Sequence, residues 1–430
     1  MPEREPVEVT VQIDGQDQVA GTLWIHDRGG QTASFRYADS YLTRQGSYAL
    51  DPALPRSAGV FHTPAGTAMF AAFADSAPDR WGENLMRREE RERAKSIRAT
   101  PRTLGKADFL LGVRDDVRQG QIRFRRPENG TYYSAHQHAV PRLIELARLL
   151  RAIDRLDADG AMDRDLADLI DAGSSLGGAR PKAVVIDASG RLAIAKFPRS
   201  GSDEWDVAGW EEVQLRLARR AGLAVAASEL IPIAGRNVLL VDRFDRRGTQ
   251  RVGFASALTM LEATDGERRS YLEIAEVIER DSPRSTEDLA ELYRRIVFSI
   301  LTANTDDHLR NHAFLRARNG WRLSPAYDLN PNPDNPRRLS TLIDFDDSTA
   351  SIETALSVSG YFRLSAAEAV AIVGDVERAT SHWRREAVGL GLSRQQADRM
   401  ALAYETPERQ TAKALPNSGL PHNPHGRHCL

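Results

Sequence analysis

Two short segments in the C-terminal half constrain this chain more than any others: NTDDHLRN at 304–311 and SPAYDLN at 324–330. Asp306 precedes Asn311 by five residues, and Asp328 follows Asn311 by seventeen. The stretch between, HAFLRARNGWRLSPAYD, reads as strand, Asn-Gly turn, strand. A hairpin there returns Asp328 to the side of Asn311. Asx turns in an ordinary loop also produce Asp and Asn at such spacings. The rest of the chain must therefore supply further parts before a chemistry is assigned.

A length of 430 residues predicts two or three domains or subdomains. A hydrophobic share of 41% and a charged share of 27% are those of a soluble globular protein. No apolar run approaches the ~20 residues of a membrane span, and MPEREPVEVT lacks the apolar core of a secretory signal. Cys429 is the single cysteine, which excludes an internal disulfide and argues against thiolate zinc sites. A cytoplasmic location without membrane contact is expected. The net charge of −2 gives no bulk attraction to nucleic acid. Only five of the 58 basic residues are lysines (Lys95, Lys106, Lys182, Lys196 and Lys413), leaving 53 arginines. Codon usage accounts for most of that imbalance. The lysines mark places where a compact point charge is preferred to a planar fork.

Along the chain, Val7, Val9, Val11 and Ile13 alternate with polar residues before the turn Asp14-Gly15, and a second strand starts at Gly21. Pro78 is read as a helix start with Asp75 and Ser76 as caps. The alternating charges of 87–98 are read as a solvated helical face. Two helices are expected in 140–172, and strands at AVVID (183–187), RLAIAKF (191–197) and within 236–246. From 255 to about 405 the pattern is mostly helical. Four units result: 1–110, a β-rich subdomain; 111–245, a sheet-bearing lobe; 246–405, a helical lobe; and 406–430, a disordered tail.

The upstream parts fall in the order of a protein kinase. There the Asp-x4-Asn loop orients the nucleophile, and a returning Asp holds metal against ATP phosphates. Gly177-Gly178 precede a strand, Lys196 lies in Ala-Ile-Ala-Lys on the next strand, and a helix follows. On that helix Glu211 borders the apolar stripe and is the candidate partner of Lys196. Glu212 is expected on the surface, paired with Arg216. Residues Asp242 to Phe244 fall where a hinge strand offers its backbone to adenine. The string of a Walker A loop is absent.

In GGARPKA, AKFP, DRFDR, NTDDHLRN and SPAYDLN, together with the N-terminal FADSAPDRWG, the chain resembles the HipA family of serine/threonine-kinase toxins. The resemblance implies an α+β, protein-kinase-like bilobal fold with a β-rich N-terminal subdomain and a helical C-terminal lobe. It implies ATP and Mg2+ as cofactors and Asp306 as the catalytic aspartate. Asn311 and Asp328 would hold the metal. Ser175, Gly177, Gly178, Ala179, Arg180, Lys182, Lys196, Glu211, Asp242, Phe244 and His308 would surround ATP. Ser175, or alternatively Ser174, would be autophosphorylated and so self-inhibiting. The implied partners are a small helix-turn-helix antitoxin (HipB-like), operator DNA through it, and an aminoacyl-tRNA synthetase as substrate. A small-molecule kinase on the same scaffold and a non-catalytic corepressor are the alternatives. Lys196→Arg is expected to abolish most phosphoryl transfer, measured with labelled ATP. Near wild-type activity would make the lysine argument an accident of composition.

Overall fold

The computed structural model describes residues 5–26, 31–134, 140–158, 169, 180–199, 201, 203–334 and 337–415. The first unit is an antiparallel sheet of β1 (Val7–Ile13), β2 (Gln16–His26), β3 (Thr32–Tyr37), β4 (Phe61–His62) and β5 (Ile122–Arg125), in the order β4-β3-β2-β1-β5. Ile13 faces Gln16 across a two-residue turn. Asp14 (φ 51°) and Gly15 (φ 76°) are both left-handed there, as the hairpin turn that matches strand twist requires. The alternating Val7, Val9, Val11 and Ile13 are buried against Phe35, Phe73 and Phe124. The sheet draws β5 from beyond residue 110.

The helix Arg80–Ser96 starts later than its sequence signals indicate. Asp79 is its cap, accepting from the Gly82 amide at 2.8 Å, with Pro78 just outside. Asp75 instead ends the short helix Ala71–Ala74. Glu83–Arg87, Glu90–Arg93 and Glu92–Lys95 pairs run along the longer helix; Arg93 and Lys95 are exposed as the alternating charges predict, but Glu90 is buried and also accepts from the Arg102 amide at 2.9 Å.

The second sheet comprises β6 (Lys182–Ile186), β7 (Leu192–Lys196), β8 (Ser228–Ile233) and β9 (Arg236–Asp242), in the order β6-β7-β9-β8. Ala183, Val185, Ala193 and Ala195 on one face pack with the helix Leu146–Asp157 and with Trp81 and Leu85. Leu239 and Val241 on the other face join the core of the helix Val207–Arg220. The second helix expected in 140–172 lies outside the described residues, apart from Leu169.

The helical lobe is built around Ser285–Thr302, packed by Tyr271–Asp281, Ala366–Thr380 and Arg394–Tyr404. The expected disordered tail begins too early. Pro407–Ala414 is a helix with proline in its first turn, where a missing amide costs nothing. Its buried Arg409 donates to the carbonyls of Tyr404 (2.6 Å) and Leu301 (3.3 Å) and to Thr380 Oγ1 (3.0 Å). Residues 416–430, with Cys429, lie outside the described residues. No described helix is long and apolar enough to cross a membrane.

After β9 the strands β10 (Arg246–Arg247) and β11 (Gln250–Arg251) form a small ribbon. At its base, Asp245 is buried among arginines. It accepts from Arg243 Nε (2.8 Å) and NH2 (2.6 Å), Arg246 NH1 (2.6 Å) and the Gly120 amide (2.8 Å). Arg243 and Arg251 also donate to the carbonyls of Val117 and Arg118. This clasp fastens the segment leading into β5 of the first sheet to the chain just beyond β9 of the second. Burial opposes ionisation of Asp245, yet Arg243 and Arg246 hold its carboxyl well below the usual carboxylate range.

A depressed folded-state value stabilises the fold above the ordinary carboxylate pKa of ~3.9 and loses that contribution as pH falls below it. Asp245→Ala leaves buried guanidinium groups unpaired and is expected to cost about 3–5 kcal/mol at pH 7. Urea unfolding from pH 7 down to 2 checks this: the gap to wild type should narrow below about pH 4.

Candidate active site

The helix Ser285–Thr302 ends at Ala303, whose left-handed backbone (φ 47°) turns the chain into the 304–311 loop. Glycine is the usual residue there, since a Cβ costs about 1–2 kcal/mol in that conformation. Asparagines make the loop rigid. Asn304 donates to Ser299 Oγ (3.2 Å) and accepts from the Asn330 amide (3.0 Å). Asn332 donates from its side chain to Thr305 Oγ1 (2.8 Å) and from its amide to the Ala303 carbonyl (2.9 Å). The Asp306 loop and the loop after Asp328 are therefore one hydrogen-bonded unit.

Beneath it, buried Asp307 meets His312 Nε2 at 3.1 Å and accepts from Tyr271 Oη at 2.5 Å. Asp307 and His312 flank Asp306 and Asn311, so this pair closes the loop across its ends. Asn311 Nδ2 donates to the Asp306 carbonyl at 2.9 Å, which leaves Asn311 Oδ1 as its remaining polar atom. Asp306 itself is exposed.

The hairpin read from the sequence is present as β13 (Ala313–Ala317) and β14 (Gly320–Leu323), joined at Asn319-Gly320; β12 (Phe254–Ser256) flanks β13. It brings the chain back to Asp328, which has a left-handed backbone (φ 56°). Lys196 Nζ then joins three elements. It lies 2.5 Å from Glu211 Oε1 on the helix Val207–Arg220 and 2.8 Å from Asp328 Oδ1 on the helical lobe. Asn330 Nδ2 also donates to Oδ1 (3.3 Å); among the described residues Asp328 Oδ2 takes no side-chain donor.

Burial disfavours the Lys196 charge, but Asp328 and Glu211 override it and hold the ammonium above its ordinary value. Burial likewise opposes ionisation of Asp328, while Lys196 pulls its carboxyl down to about 2. Burial raises Glu211, and the charge of Asp328 adds to this. One ammonium thus serves two carboxylates, with Asp328 the more firmly ionised. Desolvation also raises Asp306; His308 opposes it, and the charges of Asp328 and Asp307 add to it.

Asn311 Oδ1 and the Asp328 carboxylate are hard oxygen donors with surplus negative charge between them, which fits Mg2+. Among the described residues no group of three or more His, Cys, Asp or Glu could hold a metal.

The other sequence candidates divide. Lys182 directly faces Lys196 across β6 and β7, but it is buried and bonded to Asp79 Oδ2 at 2.6 Å. Arg180 is exposed and paired with Asp203 at 2.8 Å. At the hinge, the Asp242 amide donates to the Ala227 carbonyl (2.8 Å) and that of Arg243 to Leu192 (3.3 Å). Half-buried Phe244 lies 5.4 Å from the Tyr327 ring, next to Asp328. The Nδ1 of His308 is buried without a hydrogen-bond partner. Ser174, Ser175, Gly177, Gly178 and Ala179 lie outside the described residues. Glu212 is not on the surface. It pairs with Arg216 (2.8 Å) as its spacing predicts, but it is buried and accepts from Ser228 Oγ at 2.5 Å, because β8 covers that side of the helix.

The sequence reading missed Asp79, Asp75, Arg310 and the Asp307–His312 pair as parts of this region. Two acids four apart in FADSAPDRWG were the available signal, although spacing alone assigns them no partners.

A sheet lysine paired with a helix glutamate, above a helical lobe carrying Asp-x4-Asn and a hairpin-returned Asp, is the bilobal fold of protein-kinase-like proteins. Residues 174–383 match the HipA-like C-terminal domain and residues 11–103 the HipA N-terminal domain. The chain belongs to the HipA family.

It is 28% identical over 181 residues to Y4mE of Sinorhizobium fredii, named as a kinase, covering 36% of this chain and 41% of that one. It is 26% identical over 143 residues to a Haemophilus influenzae protein also named as a kinase, covering 29% and 42%. The chain thus spans about two fifths of the length of these curated relatives. Shewanella oneidensis HipA, solved with HipB and operator DNA, shares the fold: 16% identity, TM-score 0.66, and coverage of 94% of this chain and 96% of that one.

The shared ammonium predicts strong non-additivity. Lys196→Met strands two carboxylates, whereas Lys196→Met with Glu211→Gln strands one. The double variant is expected to be more stable than the sum of the single effects by about 0.5–3 kcal/mol, read from a denaturant double-mutant cycle. Simple additivity would show that the three groups are not coupled.

Proposed function

We propose that this chain is an ATP- and Mg2+-dependent serine/threonine protein kinase and the toxin of a type II toxin–antitoxin module. The observation that carries this reading is the Lys196–Glu211–Asp328 cluster, joined by hydrogen bonds to the loop that holds Asp306 and Asn311. A structural ion pair needs no exposed aspartate and oriented asparagine beside it; phosphoryl transfer needs both.

In the proposed reaction the hydroxyl oxygen of a Ser or Thr forms a bond to the γ-phosphorus of ATP. The bond from that phosphorus to the bridging oxygen breaks, and ADP leaves. Asp306 accepts or orients the hydroxyl proton; its raised carboxyl pKa suits brief proton acceptance. Lys196 neutralises phosphate oxygens while Glu211 keeps its ammonium aimed from the sheet. Asn311 Oδ1 and Asp328 would hold the metal, which supplies positive charge against the phosphates. Phe244 offers an apolar face for adenine, and Arg180 and Lys182 border the phosphate-covering loop.

We further propose that Ser175, or Ser174, in that loop is autophosphorylated. A phosphate there adds nearly two negative charges where ATP phosphates must sit, and so silences the enzyme. The solved Shewanella relative sits with HipB and operator DNA. A small helix-turn-helix antitoxin and operator DNA are proposed as partners here, with an aminoacyl-tRNA synthetase as substrate.

Purified protein with Mg2+ and labelled ATP tests this. Asp306→Gln is expected to lower transfer by about 10²–10⁴-fold, and mass spectrometry is expected to find phosphate on Ser175 or Ser174 of the wild type only. Transfer undiminished in Asp306→Gln would overturn the assignment. Turnover of a metabolite without any phosphopeptide would mark a small-molecule kinase.

A further inference from the structure

The segment Asp75–Asp79 carries two acids with buried side chains that engage different lobes. Asp75 reaches the helical lobe. It accepts from the Ser256 amide (2.7 Å), Ser256 Oγ (2.8 Å) and Thr259 Oγ1 (2.7 Å), and so caps the turn Ala257–Met260 from another subdomain. The Ala257 amide of that turn donates to the His312 carbonyl at 2.8 Å, one residue beyond Asn311. Arg310, within the Asp306–Asn311 loop, lies 3.7 Å from Asp75 and pairs with Asp265 at 2.9 Å.

Asp79 reaches the second sheet. One oxygen caps its own helix at Gly82, and the other accepts from Lys182, the cross-strand neighbour of Lys196. Between the two acids, the Ser76 carbonyl accepts from the fully buried Arg118 at 3.1 Å.

We propose that Asp75 and Asp79 are positioning residues for phosphoryl transfer: Asp75 sets the Asp306–Asn311 loop, and Asp79 sets the lysine side of the phosphate site. The N-terminal subdomain is then a bracket across both lobes. Their relative placement is not left to the hinge alone. This rests on the kinase reading, but the two carboxylates leave separate signatures. The Asp75 route ends at the reacting-group loop and should affect the chemical step. The Asp79 route ends at the phosphate-side lysines and should affect nucleotide affinity.

The test uses the full chain with Asp75→Asn, Asp79→Asn and the milder Thr259→Val, which removes one donor to Asp75 should the first variant fold poorly. Each is measured for kcat and KM with Mg-ATP, and for amide hydrogen exchange across 182–196 and 304–312. Asp75→Asn should lower kcat about tenfold or more, with KM within about twofold and faster exchange in 304–312. Thr259→Val should do the same to a smaller degree. Asp79→Asn should raise KM about tenfold with kcat nearly kept, and should loosen 182–196 alone.

Equal losses in both parameters with exchange raised throughout would overturn the proposal in favour of plain stability, and unchanged kinetics would overturn it outright. A wild type that transfers no phosphate would defeat the kinase reading. The exchange pattern then decides the bracket separately: local, divided loosening supports it, and an undivided pattern overturns it.

Discussion

The arrangement of this molecule turns on one ammonium. Lys196 leaves the end of β7, meets Glu211 on the helix behind the sheet, and meets Asp328 on the opposite lobe. A single cation between two carboxylates draws three separately folded elements to within a few ångströms. Taken alone it is electrostatically incomplete, because two negative charges face one positive. That deficit is tolerable only where further positive charge can be accommodated. In a purely structural core such an arrangement would be costly, since an unmatched buried charge destabilises a fold.

The second recurring device is the buried arginine. Arg118, Arg243, Arg246, Arg251 and Arg409 are used for their forks, which bond backbone carbonyls at loop ends and chelate Asp245. A lysine's three donors radiate from a single nitrogen, whereas a guanidinium spreads five over a fixed planar fork that reaches acceptors farther apart. Codon usage supplies many arginines, and the fold has placed some of them where planar, multiple donation ties segments distant in sequence. The lysines at 182 and 196 stand apart: both lie on one strand pair, and each meets carboxylates through a point charge.

Much of this was legible in the sequence because local rules suffice for it. The first hairpin, the Asn-Gly hairpin at 319–320, the strand after Lys182 and the one bearing Lys196, and Glu211 as the partner of Lys196 follow from periodicity and turn chemistry. What was not legible depends on what covers an element. Glu212 reads as a surface residue from its helical angle, and only β8 buries it. Pro407–Ala414 reads as tail from its composition, and only the socket for Arg409 makes it helix. Asp75 reads, with Ser76, as a helix cap, and Asp79 carries no sequence assignment of its own. They part company because one finds donors on the helical lobe and the other a lysine on the sheet, more than a hundred residues away.

The direct opposition of Lys182 and Lys196 in the β6–β7 ladder has a consequence for how this chain can vary. The two strands are joined by a tight turn at Asp187–Arg191, held by the Asp187 amide on the Arg191 carbonyl and by a left-handed Gly190. Side chains alternate faces along a strand, so a one-residue slip in the ladder would carry one lysine to the opposite face. An insertion or deletion in that exposed turn, remote from either carboxylate partner, would thus be felt at the lysines. Surface loops ordinarily absorb length changes freely. This one acts as the gauge that sets the site, and its length should be far less variable than its exposure implies.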